Sequence, residues 1–167
     1  MPSSTPSDVG DSSELQLLRH TLATLAYRAR KAVHQAPAGF EHFRIGESTR
    51  TPVEILAHMG DLIDWALWMA RGEHRWQDSC PLPWDEEVAR FFARLEALDA
   101  HLATVPLECP PGQLFRGPVA DALTHVGQIN LLRRLAGSAV RGENYALAGI
   151  ETGRVGMDQP RPRREFD

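Results

Sequence analysis

Cysteine is scarce in this sequence, and the two residues present, Cys80 and Cys109, do not pair by pattern. Each precedes a proline and neither belongs to a C-x-x-C, so a disulfide framework is not expected. Long apolar runs are missing as well: no stretch approaches the ~20 residues that a bilayer-spanning helix needs. The first residues, MPSSTPSDVGDSS, have no basic start leading into an apolar run and do not read as a signal peptide. Positive charge is not in excess. The formal net charge of the 167 residues is −4, which argues against a nucleic-acid binder. Alternating strand patterns and internal repeats are also absent. What remains is the expectation of a cytoplasmic protein with no membrane or nucleic-acid partner and one domain with a substantial core.

Helical periodicity fills most of the chain. Residues 1–12, rich in Ser, Pro, Gly and Asp, read as a disordered tail, and residues 13–167 as a single domain. In "SELQLLRHTLATLAYRARKAV", Leu15, Leu18, Leu22, Leu25 and Ala29 form one stripe, which Pro37 and Gly39 terminate. "TPVE" places Thr51 at a helix N-cap, Pro52 at the first helical position and Glu54 at the third, a capping box. The helix it opens runs to Gly72 and is apolar on two sides, with Ile55, Leu62, Trp65 and Met69 on one and Leu56, Ile63 and Leu67 on the other. A second burial face points to a subunit interface. A third helix covers about residues 85–105 through Val88, Phe91, Phe92, Leu95, Leu98 and Leu102. A fourth starts near Pro118 and ends at Gly137, with Arg133 and Arg134 beside its own C-terminal dipole. "NYALAGI" is a candidate short extra helix, and "QPRPRREFD" reads as an irregular, solvated tail. Four amphipathic helices make an all-α four-helix bundle.

Three polar residues interrupt the apolar stripes. On a helical wheel, Ile55, Leu62, Trp65 and Met69 surround His58, and Ala122, Ile129, Leu132 and Ala136 surround His125. Asp121 lies one turn before His125. Turned inward, such groups cost several kcal/mol unless they find partners. His58, Asp121 and His125 have the ligand types to share one divalent ion, with positions left open for water or substrate. Zinc and nickel suit this set, and iron or manganese also fit. Gln128 and Glu54, toward the same side, are candidate catalytic or hydrogen-bonding partners of whatever occupies the open position. The plainer alternative is an i,i+4 hydrogen bond or a metal-free polar cluster. His20 and His101 read as solvated, while His34, His42 and His74 fall at helix ends or in loops. Trp65, Trp68, Trp76 and Trp84 read as core or interface residues, with Trp65, on the face of His58, a candidate wall of the site. Asn144 and Tyr145 follow the fourth helix closely enough to be considered for the pocket.

"TPVEILAHMGDL" followed by "DALTHVGQINLLRRLAG" resembles the DinB-like superfamily, four-helix metalloproteins that include the YfiT-like thiol transferases. In that pattern a histidine of the second helix is followed by H-x-x-x-H and x-G-Q in the last bundle helix. His58 and His125 match the first and last histidines, and "THVGQ" matches the end of the motif. Asp121 replaces the middle histidine, as in the mycothiol-dependent isomerases of the family. The resemblance implies an up-down-down-up bundle with a long crossover, a divalent metal, and a homodimer. It further implies a thiol S-transferase, isomerase or hydrolase that takes a low-molecular-weight thiol and a small-molecule substrate. The competing expectation is a non-catalytic, stress-related interaction module.

Overall fold

The structure, a computed structural model, describes residues 13–167; the tail expected over residues 1–12 lies outside them. The fold is all-α apart from one two-stranded ribbon. Helices α1 (Ser13–Val33), α2 (Pro52–Ala70) and α3 (Trp84–Thr104) are followed by a composite run. That run joins α4 (Pro111–Leu114), a π-helical turn (Phe115–Val119) and α5 (Ala120–Leu135). Both α1 and α2 pack against α3 and against α5. The four long helices enclose one core in which Leu22, Leu25, Leu56, Met59, Ile63, Phe91, Leu95, Leu98 and Ile129 are fully buried. Each such side chain contributes about 1.5–3 kcal/mol by leaving water.

The capping box at the start of α2 is formed. The Glu54 N–H donates to Thr51 Oγ1, and the Thr51 N–H donates to a Glu54 carboxylate oxygen at 2.6 Å. Two otherwise orphaned amides are thereby satisfied. Both apolar faces of α2 are buried within the chain itself, by α3, α5 and the short turn Phe40–His42. The second face therefore does not need the subunit interface that its pattern implied.

The fourth helical run begins at Pro111 rather than near Pro118. Proline lacks an N–H and its ring collides with the carbonyl four residues back, which normally starts or breaks a helix. Here Pro118 lies within the π turn, where the ladder widens and the Ala120 N–H reaches the Phe115 carbonyl. The wider turn lets the helix pass through the proline.

The C-terminal segment also departs from its sequence pattern. "NYALAGI" supplies only a single 3₁₀ turn, Tyr145–Leu147. The tail, expected to be irregular, folds back so that β1 (Gly142–Glu143) pairs antiparallel with β2 (Glu165–Phe166). Glu143 anchors this return. Its buried carboxylate accepts hydrogen bonds from Tyr27 Oη and Lys31 Nζ, each at 2.9 Å, and from the Arg163 N–H at 3.3 Å. Two-residue strands are too short to show alternation, so the pairing left no trace in the pattern. Arg133 likewise serves a different helix from the one expected. It donates to the carbonyls of Ala32, His34 and Gln35 at the C-terminus of α1. Cys80 and Cys109 are both free. Among the described residues, no helix is long and apolar enough to cross a membrane.

Candidate metal centre

Helical spacing on α2 and α5 brings His58, Asp121 and His125 together. One ligand atom from each lies within 4.8 Å of the others. His125 Nε2 is 3.5 Å from one Asp121 carboxylate oxygen, and His58 Nε2 is 3.7 Å from the other. The two imidazole rings meet edge to face, with centroids 4.9 Å apart. Both Nε2 atoms thus address one carboxylate.

His125 is 8 % exposed, among Ala122, Val126 and Ile129. Its Nδ1 lies 2.8 Å from Gln128 Oε1. An amide oxygen only accepts, so the proton of that bond sits on Nδ1 and the lone pair is left on Nε2. A hydrogen bond of this type fixes the tautomer and ring orientation that metal ligation requires. His58 is half-buried. Burial first, then the charge of Arg50 and the neighbouring His125, push its pKa below the ordinary histidine value, although Asp121 and Asp61 pull it up. A neutral imidazole is the ligating form.

Asp121 does not point into the core as its wheel position implied. Its side chain is 48 % exposed, in the first turn of α5 directly after the π turn. At the rim of the bundle the carboxylate keeps its hydration and avoids the cost of burial. Thr124 Oγ1 adds a weak contact at 3.3 Å. The cluster is an open, surface-facing site.

The donor set fits a divalent ion. Ligands at about 2.1 Å from a tetrahedral ion are separated by about 3.4 Å. His125 Nε2 stands at about that spacing from one Asp121 oxygen, while His58 Nε2 faces the other oxygen at 3.7 Å. The widest separation in the set, 4.8 Å at most, exceeds the tetrahedral spacing. Loading would therefore draw the set together by up to about 1.4 Å.

Glu54 lines the small cavity beside His58 together with Arg50, Asp61 and Ser79. Its carboxylate is held by Thr51 and by Arg44 Nη2 at 3.1 Å. The Thr51 N–H and hydroxyl depress its pKa, with Arg44 adding to the effect. It is a strongly ionised cap rather than a free base. Asn144 and Tyr145 lie elsewhere: Asn144 caps its own 3₁₀ turn, and Tyr145 packs against Tyr27 beneath Arg28. Among the other histidines, His20 reaches Thr152, His42 is exposed, and His101 has its Nε2 buried without a partner rather than solvated.

Trp76 is the residue that sequence reasoning misplaced. It stands edge-on to His58 at 5.6 Å and to Trp65 at 5.9 Å, forming a wall of the site. Its irregular segment carries no periodicity that could have indicated this. The segment is pinned by Ser79, whose N–H and hydroxyl donate to Asp61 at 2.9 and 2.7 Å. The wall thus faces an open rim at which the two imidazoles converge on Asp121. Comparison with known proteins finds no matching family model, no matching curated protein and no matching solved structure.

Proposed function

We propose that this chain is a DinB-like, metal-dependent enzyme acting on a small molecule, a thiol S-transferase or a related isomerase or hydrolase. The observation that carries the reading is the convergence of His58 Nε2 and His125 Nε2 on Asp121 while Gln128 occupies the far nitrogen of His125. A divalent ion there would lower the pKa of a thiol or water placed beside it. The chain's own groups do the rest. Gln128 holds His125 in the ligating tautomer, and the Trp76–Trp65 wall shields His58 from bulk water. Arg50, whose charge reaches His58, favours an anionic reactant at the mouth. The half-exposed Asp121 leaves the approach open. A low-molecular-weight thiol is a reactant that suits a ligand set with room beside it, with Arg50 the one cation of a mouth that also carries Glu54, Asp61 and Asp78. The same reading carries a homodimer and an intracellular setting.

Metal content and thermal melting test it together. A site-specific ion at a hundred times its Kd stabilises the native state by about 2.7 kcal/mol, worth about 5–10 °C in a chain of this size. A chelator should lower the melting temperature of the wild type by that amount and leave a His58→Ala, His125→Ala variant unmoved. A second reading, a metal-free polar cluster in a non-catalytic interaction module, is favoured by the contact Asp121 already makes with both rings. It predicts sub-stoichiometric metal in the wild type and no chelator effect.

A further inference from the structure

A second cleft, of about 560 Å³, lies between the C-terminal ends of α1 and α5 and the returning tail. Small-molecule sites occupy about 300–1,000 Å³, so the space suits a ligand larger than a single ion. The cleft contains none of the three clustered ligands. Arg133, on its floor, lies two turns past His125 on α5, about 12 Å along the helix axis.

Its walls reverse the sign of the chain. Against an overall net charge of −4, they carry Arg30, Lys31, Arg133, Arg141 and Arg161, with Glu165 the one carboxylate among them. Lys31 is paired with Glu143 and Glu165, and Arg141 with Glu165 and Asp167. The other three cations have no carboxylate. Arg133 is 5 % exposed and spends its N–H groups on backbone carbonyls and on Ser138. Its charge is therefore fixed under the cleft without an ionic partner. Arg30 is half-buried and Arg161 exposed, and among the described residues neither guanidinium has a hydrogen-bond or ion-pair partner. His34, on the same wall, reports the resulting field. Burial and then the charges of Arg30 and Arg133 hold its pKa below the ordinary value.

Two free guanidinium forks above a fixed buried charge match a multiply charged oxyanion, because each fork can donate two parallel hydrogen bonds to one phosphate. We propose that this cleft binds a small soluble ligand through a di- or triphosphate group, gripped by Arg30 and Arg161. The start of the "RPRR" run, Arg161 and Pro162, is then part of a binding wall, brought there by the Glu143 anchor and the β1–β2 pairing. The assignment is independent of the metal reading.

Calorimetric titration of the full chain with inorganic pyrophosphate at fixed, low ionic strength tests it. Removing two charge-assisted contacts should weaken binding by about ten-fold or more. That loss is expected in an Arg30→Ala, Arg161→Ala variant whose melting temperature is unchanged, with partial recovery in Arg30→Lys, Arg161→Lys. Because polyphosphates also chelate metals, the His58→Ala, His125→Ala variant is titrated in parallel and should bind as the wild type does. A single-stranded oligonucleotide at the same phosphate concentration should bind no better than pyrophosphate. The proposal is overturned by no wild-type binding at millimolar pyrophosphate, by equal affinity in the arginine variant, by loss in the histidine variant instead, or by preference for the oligonucleotide.

Discussion

Burial, Arg50 and His125 all disfavour a proton on His58, and the two nearby aspartates do not fully offset them. The unfolded chain, with an ordinary histidine pKa of 6.5, therefore binds that proton more readily than the folded one. Stability is complete above about pH 6.5 and declines as the pH falls through that value toward the depressed folded pKa. Urea midpoints measured between pH 7 and pH 5 should fall, and His58→Gln should flatten the decline. His34, displaced in the same direction, leaves part of the slope in place. An unaltered slope in His58→Gln would remove His58 as its source. At this scale the sequence was informative about which residues meet and less so about how they sit. Wheel positions identified His58, Asp121 and His125, because a helix fixes direction around its axis. They said nothing of depth along the bundle, and so missed that Asp121 stands at the rim. Trp76 was beyond reach for a related reason: a side chain in an irregular segment has no period to read.

Within α2, Gly60 makes room for a guanidinium. A Cβ built there would lie 2.8 Å from Arg90 Nη2 and 2.9 Å from Cζ. An arginine tip would ordinarily move aside, but this one is tied to Asp61, Glu87, Ser79 and the Ala57 carbonyl. Gly60→Ala should therefore destabilise the chain by about 1–3 kcal/mol through overpacking and loosened hydrogen bonds. That outweighs the ~1 kcal/mol an alanine would add by helix propensity. A melting temperature equal to or above the wild type's would show that Arg90 yields freely. The contrast with the capping box is instructive. "TPVE" could be read because its hydrogen bonds join residues three apart, whereas Arg90 reaches α2 from α3, across 33 positions to Ala57. No local pattern records a bond of that span. The early start of the fourth helical run was hidden by an ordinary rule about proline that the wide turn around Pro118 circumvents.

At the scale of the whole molecule, the tail is held by one buried carboxylate. Lys31 and the hydrogen bonds from Tyr27 and the Arg163 N–H keep Glu143 ionised below the usual carboxylate range despite its burial. Glu143→Gln should cost about 2 kcal/mol in urea denaturation, the scale of a lost charge-assisted hydrogen bond in the interior. It should also make the chain after Asn144 more sensitive to limited proteolysis, and an unchanged cleavage pattern would show that the ribbon holds without the anchor. The helical core was legible from four apolar stripes, but the return of the tail was not, since it depends on contacts of Tyr27 and Lys31 on α1 with residues over a hundred positions away. The π turn has a different consequence. Asp121 hangs from the ladder immediately after its one interruption, whereas His125 is seated a full turn deeper in regular helix. Backbone amides around Asp121 are thus placed to open and exchange with solvent ahead of those beyond His125. The ligand set would then have a fixed half and a breathing half, and whatever enters or leaves the site would do so on the timescale of that breathing.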